Sequence, residues 1–131
     1  MSRFSYVLFL LGVLLFTSCG GGLDVKGLVG KARRIEVVRT DEGGKPAGKM
    51  IVHSEDSIGQ LLSVVSNTDA PQVACDYDYE YRCFDDESKL FFLVQLNSAH
   101  LCQGAVFEHE GEVYYRYLSD DGAEYLKTLF N

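Results

Sequence analysis

Four acidic residues offer the first candidate chemistry. Asp76, Asp78, Glu80 and Glu87 fall at the first, third, fifth and twelfth positions of an EF-hand-like loop. Calcium needs oxygens that converge from a tightly curled loop with glycine at the sixth position. Tyr81 stands there, followed by Arg82, and the segment alternates aromatic and charged residues as an extended strand does. A strand spreads carboxylates apart. Asp76, Asp78 and Glu80 are therefore read as an acidic face suited to a basic partner. His53, His100 and His109 are scattered over element ends and turns, whereas zinc needs three or four converging ligands. No Ser or Cys stands with His and an acid in a pattern that would activate a nucleophile. The expectation is a chain without metal, cofactor or catalytic residues.

The other reactive side chains are Cys19, Cys75, Cys83 and Cys102. Cys19 ends a distinctive N-terminus. Arg3 is the only charge before Asp24, and Phe4 to Phe16 is apolar apart from Ser5 and Gly12. That is short of the about 20 residues of a membrane span but matches a signal-peptide core. Phe16-Thr17-Ser18-Cys19 then resembles the lipobox of bacterial lipoproteins processed by signal peptidase II, with Phe16 in place of the usual Leu. The resemblance covers residues 1–19. It implies a signal peptide over residues 1–18 and Cys19 as the lipidated mature N-terminus, its thiol carrying diacylglycerol and its amine an acyl chain such as palmitate. Two or three chains anchor stably where one does not. Gly20, rather than Asp, implies an outer-membrane destination. The resemblance thus places the chain in the bacterial cell envelope, bound to the membrane through lipid.

With Cys19 acylated, three cysteines remain in an oxidising compartment. Cys75 and Cys83 lie eight residues apart on one expected strand, about 26 Å at about 3.3 Å per residue. A bridge needs Cα atoms within about 7 Å, so the partner must be Cys102. Pairing Phe84 with Lys89 across the turn at 85–88 sets Cys75 opposite Ser98, near the loop that holds Cys102. The expected disulfide is Cys75–Cys102, with Cys83 free.

The 113 residues from Cys19 onward suffice for one domain with an adequate core. Charge divides unevenly. Residues 20–50 hold seven basic and four acidic side chains, net +3, and residues 51–131 hold four and fifteen, net −11. This balance disfavours nucleic acid and suits a basic protein partner.

A flexible tether is expected over residues 19–31, opened by Gly20-Gly21-Gly22, and one domain over residues 32–131. Arg34–Arg39 and Met50–His53 read as a hairpin. Ile58, Leu61, Leu62 and Val65 mark one face of a helix capped by Ser54 or Ser57. Val73 to Phe84 alternates as a long strand, its tyrosines inward. Leu90 to Leu96 is apolar on both faces and reads as a central strand. Residues 105–107 and 113–117 form a last hairpin, and a helix capped by Ser119 closes the chain. The expected fold is α+β, an antiparallel sheet of five to six strands with two helices in the order ββαββββα. Tyr77, Tyr79, Tyr81, Tyr114, Tyr115 and Tyr117 read as core, with a recognition surface as the alternative. The expected function is non-catalytic protein binding by an envelope lipoprotein, of inhibitor, immunity or assembly-accessory type. A structural or small-ligand-binding envelope module is the alternative, and an enzyme the third reading.

Overall fold

The computed structural model describes residues 24–72, 75–99 and 101–130. The segment expected to be a signal peptide, Cys19 and the glycine run lie outside the described residues. The fold is α+β. Seven strands form one antiparallel sheet: β1 (Arg34–Thr40), β2 (Pro46–Val52), β3 (Val65–Asp69), β4 (Tyr79–Phe84), β5 (Leu90–Asn97), β6 (Gly104–His109) and β7 (Glu112–Leu118). Three helices accompany them: α1 (Val25–Leu28), α2 (Glu55–Ser63) and α3 (Gly122–Thr128).

Two elements exceed the expected set. Helix α1 lies inside the segment expected to be tether. Val25 and Val29 are each 1% exposed, so their burial draws the chain into the core well before Ala32. The extra strand is β3. Helix α2 is capped by Ser54, whose hydroxyl accepts from Ser57 N at 3.2 Å, and Ile58, Leu61 and Leu62 face inward. It stops at Ser63, and Val65 pairs with Leu118 of β7 instead of continuing the helical face. The β7 edge needs partners for its backbone groups, and β-branched Val64 and Val65 suit a strand better than a helix. At the C-terminus the cap is Asp121, without a side-chain bond, not Ser119. Ser119 instead donates its N–H to Val64 O at 2.7 Å, tying the strand end to α2.

Sheet order is β2-β1-β4-β5-β6-β7-β3. Neighbours along the chain are thus not all neighbours in space. Strand β1 pairs with both β2 and β4, and the connection through α2 carries the chain from one edge to the other. The β1–β2 and β4–β5 turns share one device. Asp41 Oδ1 accepts from Gly43 N and Lys45 N, and Asp85 Oδ1 accepts from Glu87 N and Lys89 N. The fourth residue of each, Gly44 or Ser88, is left-handed. These bonds hold the Asp85 carboxyl below its ordinary range, chiefly through Lys89 N. The β4–β5 turn also corrects the expected register. Phe84 lies opposite Leu90, and a bulge then sets Cys83 opposite Phe92.

Side chains alternate across every strand. Ile35, Val37, Tyr79, Tyr81, Cys83, Phe92, Val94, Leu96, Ala105, Phe107 and Leu118 share the inner face and pack against Val25, Val29, Ile58, Leu61, Leu62, Ala123 and Leu126 of the helical layer. Each fully buried large aliphatic contributes about 1.5–3 kcal/mol. All three helices lie on this face, and the opposite face carries no element of the described chain.

Gly122 marks the tightest point between α3 and the sheet edge. A Cβ there would sit 2.9 Å from Val64 O and 2.9 Å from Ser119 Oγ. Backbone cannot swing aside, so overpacking outweighs the gain in helix propensity at a first-turn position. Gly122→Ala should therefore destabilise the fold by about 1–3 kcal/mol in urea denaturation. An unchanged or raised midpoint would contradict this packing.

Candidate functional site

The uncovered sheet face divides into two halves of different chemistry. On β2, β1 and β4 the outward residues are Lys49, Ile51, Arg34, Glu36, Val38, Glu80, Arg82 and Phe84. Lys49 Nζ lies 2.5 Å from Glu36, Arg34 lies 3.9 Å from the same carboxylate, and Arg82 lies 3.5 Å from Glu80. The Arg34 guanidinium stacks 4.1 Å from the Phe84 ring centroid. Cations here are matched by anions. The Lys49 hydrogen bond holds the Glu36 carboxyl below its ordinary range, against burial, which pushes it up.

On β5, β6 and β7 the outward residues are Leu93, Gln95, Val106, Glu108, Val113, Tyr115 and Tyr117. Leu93 is 44% exposed, Val113 54% and Tyr117 45%. Val106 pairs with Tyr115, Gly104 with Tyr117 and Glu108 with Val113, so an apolar pair lies between the exposed ends of the patch and Glu108 interrupts it beside Val113. Leu90, Phe91, Leu93, Val106 and Val113 line an open groove of about 570 Å³, with Glu80 and Glu108 as its charged walls. Apolar groups clustered in this way mark interaction sites in folded chains, whereas single exposed residues such as Ile51 are ordinary.

A second concavity lies at one end of this half. Strands β3 and β4 are separated by β7, β6 and β5, about 19 Å at about 4.8 Å per step. The chain returns across that gap between Ala70 and Asp78. Asn97 Nδ2 donates to Asp76 O, and Asp78 accepts from Ser98 N at 3.0 Å and Ser98 Oγ at 2.6 Å. Thr40 Oγ1 donates to Tyr77 O at 2.9 Å. The Cys75–Cys102 disulfide, with Cα atoms 6.2 Å apart, joins this segment to the β5–β6 loop. A cleft of about 240 Å³ opens beside it, lined among others by Pro71, Tyr77, Leu101, Tyr115 and Tyr117. Burial, with Tyr115 nearby, pushes the Tyr77 hydroxyl pKa up.

The acidic row expected from alternation does not form one free face. Strand β4 starts at Tyr79, so Asp76 and Asp78 precede it. Asp76 is exposed, Asp78 is spent on Ser98, and Glu80 is ion-paired with Arg82. Cys83 is free and fully buried, its thiol pushed up to about 12 by desolvation, so it is closed to exchange with another chain. The tyrosines separate. Tyr79 and Tyr81 are core, Tyr114 stacks on Phe107 at 5.3 Å, and Tyr115 and Tyr117 face outward. His53 and His109 stand apart, and His100 lies outside the described residues. Among the described residues no group of three His, Cys, Asp or Glu side chains could hold a metal, and no helix is long and apolar enough to cross a membrane. The expected lipidation site, Cys19, also lies outside them.

Sequence reasoning missed Leu93, Val106 and Val113 as site residues. The signal was present in Leu90–Leu96, apolar on both faces. That pattern reads as a strand covered on both sides, yet the described chain covers only one.

Two measurements follow. Peptide mapping without reduction should recover Cys75 linked to Cys102, and native-state alkylation should leave Cys83 unmodified. A Cys83–Cys102 peptide would contradict the observed register. For Glu36 the depressed pKa makes its contribution complete above the unfolded value of about 4.3 and lost as pH falls through the folded value. The stability gap between wild type and Glu36→Gln should therefore narrow from pH 7 to pH 3 in thermal denaturation; a constant gap would contradict the ion pair.

Comparison with protein-family models, curated proteins and solved structures finds no match for this chain.

Proposed function

We propose that this chain is a lipid-anchored envelope protein whose domain binds another protein without catalysis, and that its contact surface is the outward half-face of β5, β6 and β7. The observation that carries the reading is the exposure of Leu93, Val113 and Tyr117 on one half of a sheet face that no described element covers. Burying such a surface against a partner recovers about 25 cal/mol per Å² of apolar area, offset by the costs of association. Tyr117 and Tyr115 add the rigid aromatic contacts that concentrate binding energy. The ion-paired half beside it supplies a polar rim.

The acidic row moves from the centre of the reading to its margin. Glu80 borders the groove, Asp78 serves the fold, and Asp76 stands apart. Small-ligand binding has less support. The cleft beside the disulfide, at about 240 Å³, falls below the about 300–1,000 Å³ of small-molecule sites, and the groove of about 570 Å³, though within that range, is open to solvent instead of enclosing a ligand. The envelope location rests on the resemblance at Phe16–Cys19.

Tagged chain purified from cross-linked envelope tests both parts. Leu93→Arg with Val113→Arg should lose the captured partner, while Ile51→Arg keeps it. Cys19→Ala should move the chain from the membrane to the soluble fraction. Retention of the partner by the double variant sinks the proposed surface, and unchanged membrane association of Cys19→Ala sinks the anchor.

A further inference from the structure

Building on the half-face as a contact surface, we infer that its occupant is a cationic amphipathic helix of the partner. Charge makes the first selection. From Leu90 to Leu118 the only Lys or Arg is Arg116, and it is buried on the inner face, held by Asn67 O at 2.9 Å and Asp69 at 3.3 Å. Glu108 is exposed on the half-face and Glu110 at the β6–β7 turn beside it, whereas Glu112 lies on the inner side of β7, where it accepts from the Tyr114 hydroxyl at 3.0 Å. Glu108 has no cationic partner among the described residues, and the groove walls include no cation at all. Arg82, opposite Leu93 on the neighbouring strand, is the nearest exposed cation and is paired with Glu80, while every fixed charge offered by β5, β6 and β7 themselves is negative. Lysine or arginine flanking an apolar stripe meets that field, and glutamate would be repelled.

Shape makes the second selection. An apolar sheet face is covered either by a helix or by another sheet. The inner face of this sheet is already covered by helices whose contacts are Leu, Ile, Val and Ala. The exposed half-face is three strands wide, about 14 Å, close to the about 10–12 Å diameter of one helix. A second sheet would extend over the ion-paired half and bury Lys49, Glu36, Arg82 and Glu80. A second copy of this chain fits poorly too. A two-fold contact through the half-face would bring the unpaired Glu108 of both copies into one interface.

The test uses the full chain with a photoreactive leucine analogue at position 93 and, as control, at position 51. Three synthetic helical peptides of about 18 residues, or about 27 Å, carry the same leucine stripe flanked by lysine, glutamine or glutamate. Adducts are quantified by mass spectrometry. Position 93 should capture the lysine-flanked peptide about tenfold better than the glutamate-flanked one, a preference that fades at high salt. Val113→Ser should reduce that capture several-fold, and position 51 should capture little of any peptide. Equal capture of all three peptides that still falls with Val113→Ser overturns the cationic partner and leaves the contact surface standing. Capture indifferent to Val113, or equal at positions 51 and 93, overturns both. Chain-to-chain adducts from position 93 that exclude the peptide assign the face to a second copy and overturn the inference.

Discussion

A seven-stranded sheet has two faces, and the described helices cover one. Everything distinctive about this molecule follows from that shortage. The inner face is closed by four short contributions: α1, α2, the C-terminal part of the chain in α3, and the aromatic layer of Tyr79, Tyr81, Phe92 and Phe107. The outer face must then meet water with side chains alone. On β1, β2 and β4 it does so through ion pairs that satisfy one another. The pair of Arg82 with Glu80 is largely exposed and adds little stability, at most about 1 kcal/mol, whereas Lys49 and Arg34 compensate the buried Glu36; together they leave no large apolar surface. On β5, β6 and β7 it exposes Leu93, Val113 and Tyr117 instead. The two halves lie on one face of one sheet, so their contrast is a property of the residues and not of exposure.

The crossover between β3 and β4 is the second constraint. Strand β3 lies at an edge and β4 in the interior, so the intervening chain must cross three strands with no element among its described residues. Such a segment loses backbone entropy without regular hydrogen bonding. Asn97, Ser98, Thr40 and the Cys75–Cys102 disulfide compensate at separate points along it. In the chain-entropy account the disulfide closes a loop spanning 27 residues and contributes about 3–4 kcal/mol. Asp78 belongs to this fastening, which explains why an acidic residue in an alternating run is not a surface charge available to a partner.

Much of the fold could be read from the residues. Alternation placed Tyr79, Tyr81 and Cys83 opposite Glu80 and Arg82, and the i, i+3, i+4 pattern of Ile58, Leu61 and Leu62 placed α2. Strand β3 was illegible because Ser66, Asn67 and Thr68 carry no hydrophobic period; its reason to exist is the open edge of β7, a long-range fact. Helix α1 was hidden by Gly27 and by being only four residues long. The register past Phe84 depended on a bulge, which no local pattern announces. The outer half-face was visible in Leu90–Leu96 but ambiguous. A strand apolar on both sides signals two covers, and the sequence does not say whether the second is intramolecular.

That question is also where the account is most exposed to experiment. Carbene footprinting of the chain in intact envelope and after purification would compare the reactivity of Leu93, Val113 and Tyr117 with that of Ile51. The account predicts selective protection of the first three in the envelope, with Ile51 equally reactive in both states. Equal labelling of all four in both states would mean that the β5–β7 half-face is bare in place, and would contradict its role as a protein contact surface.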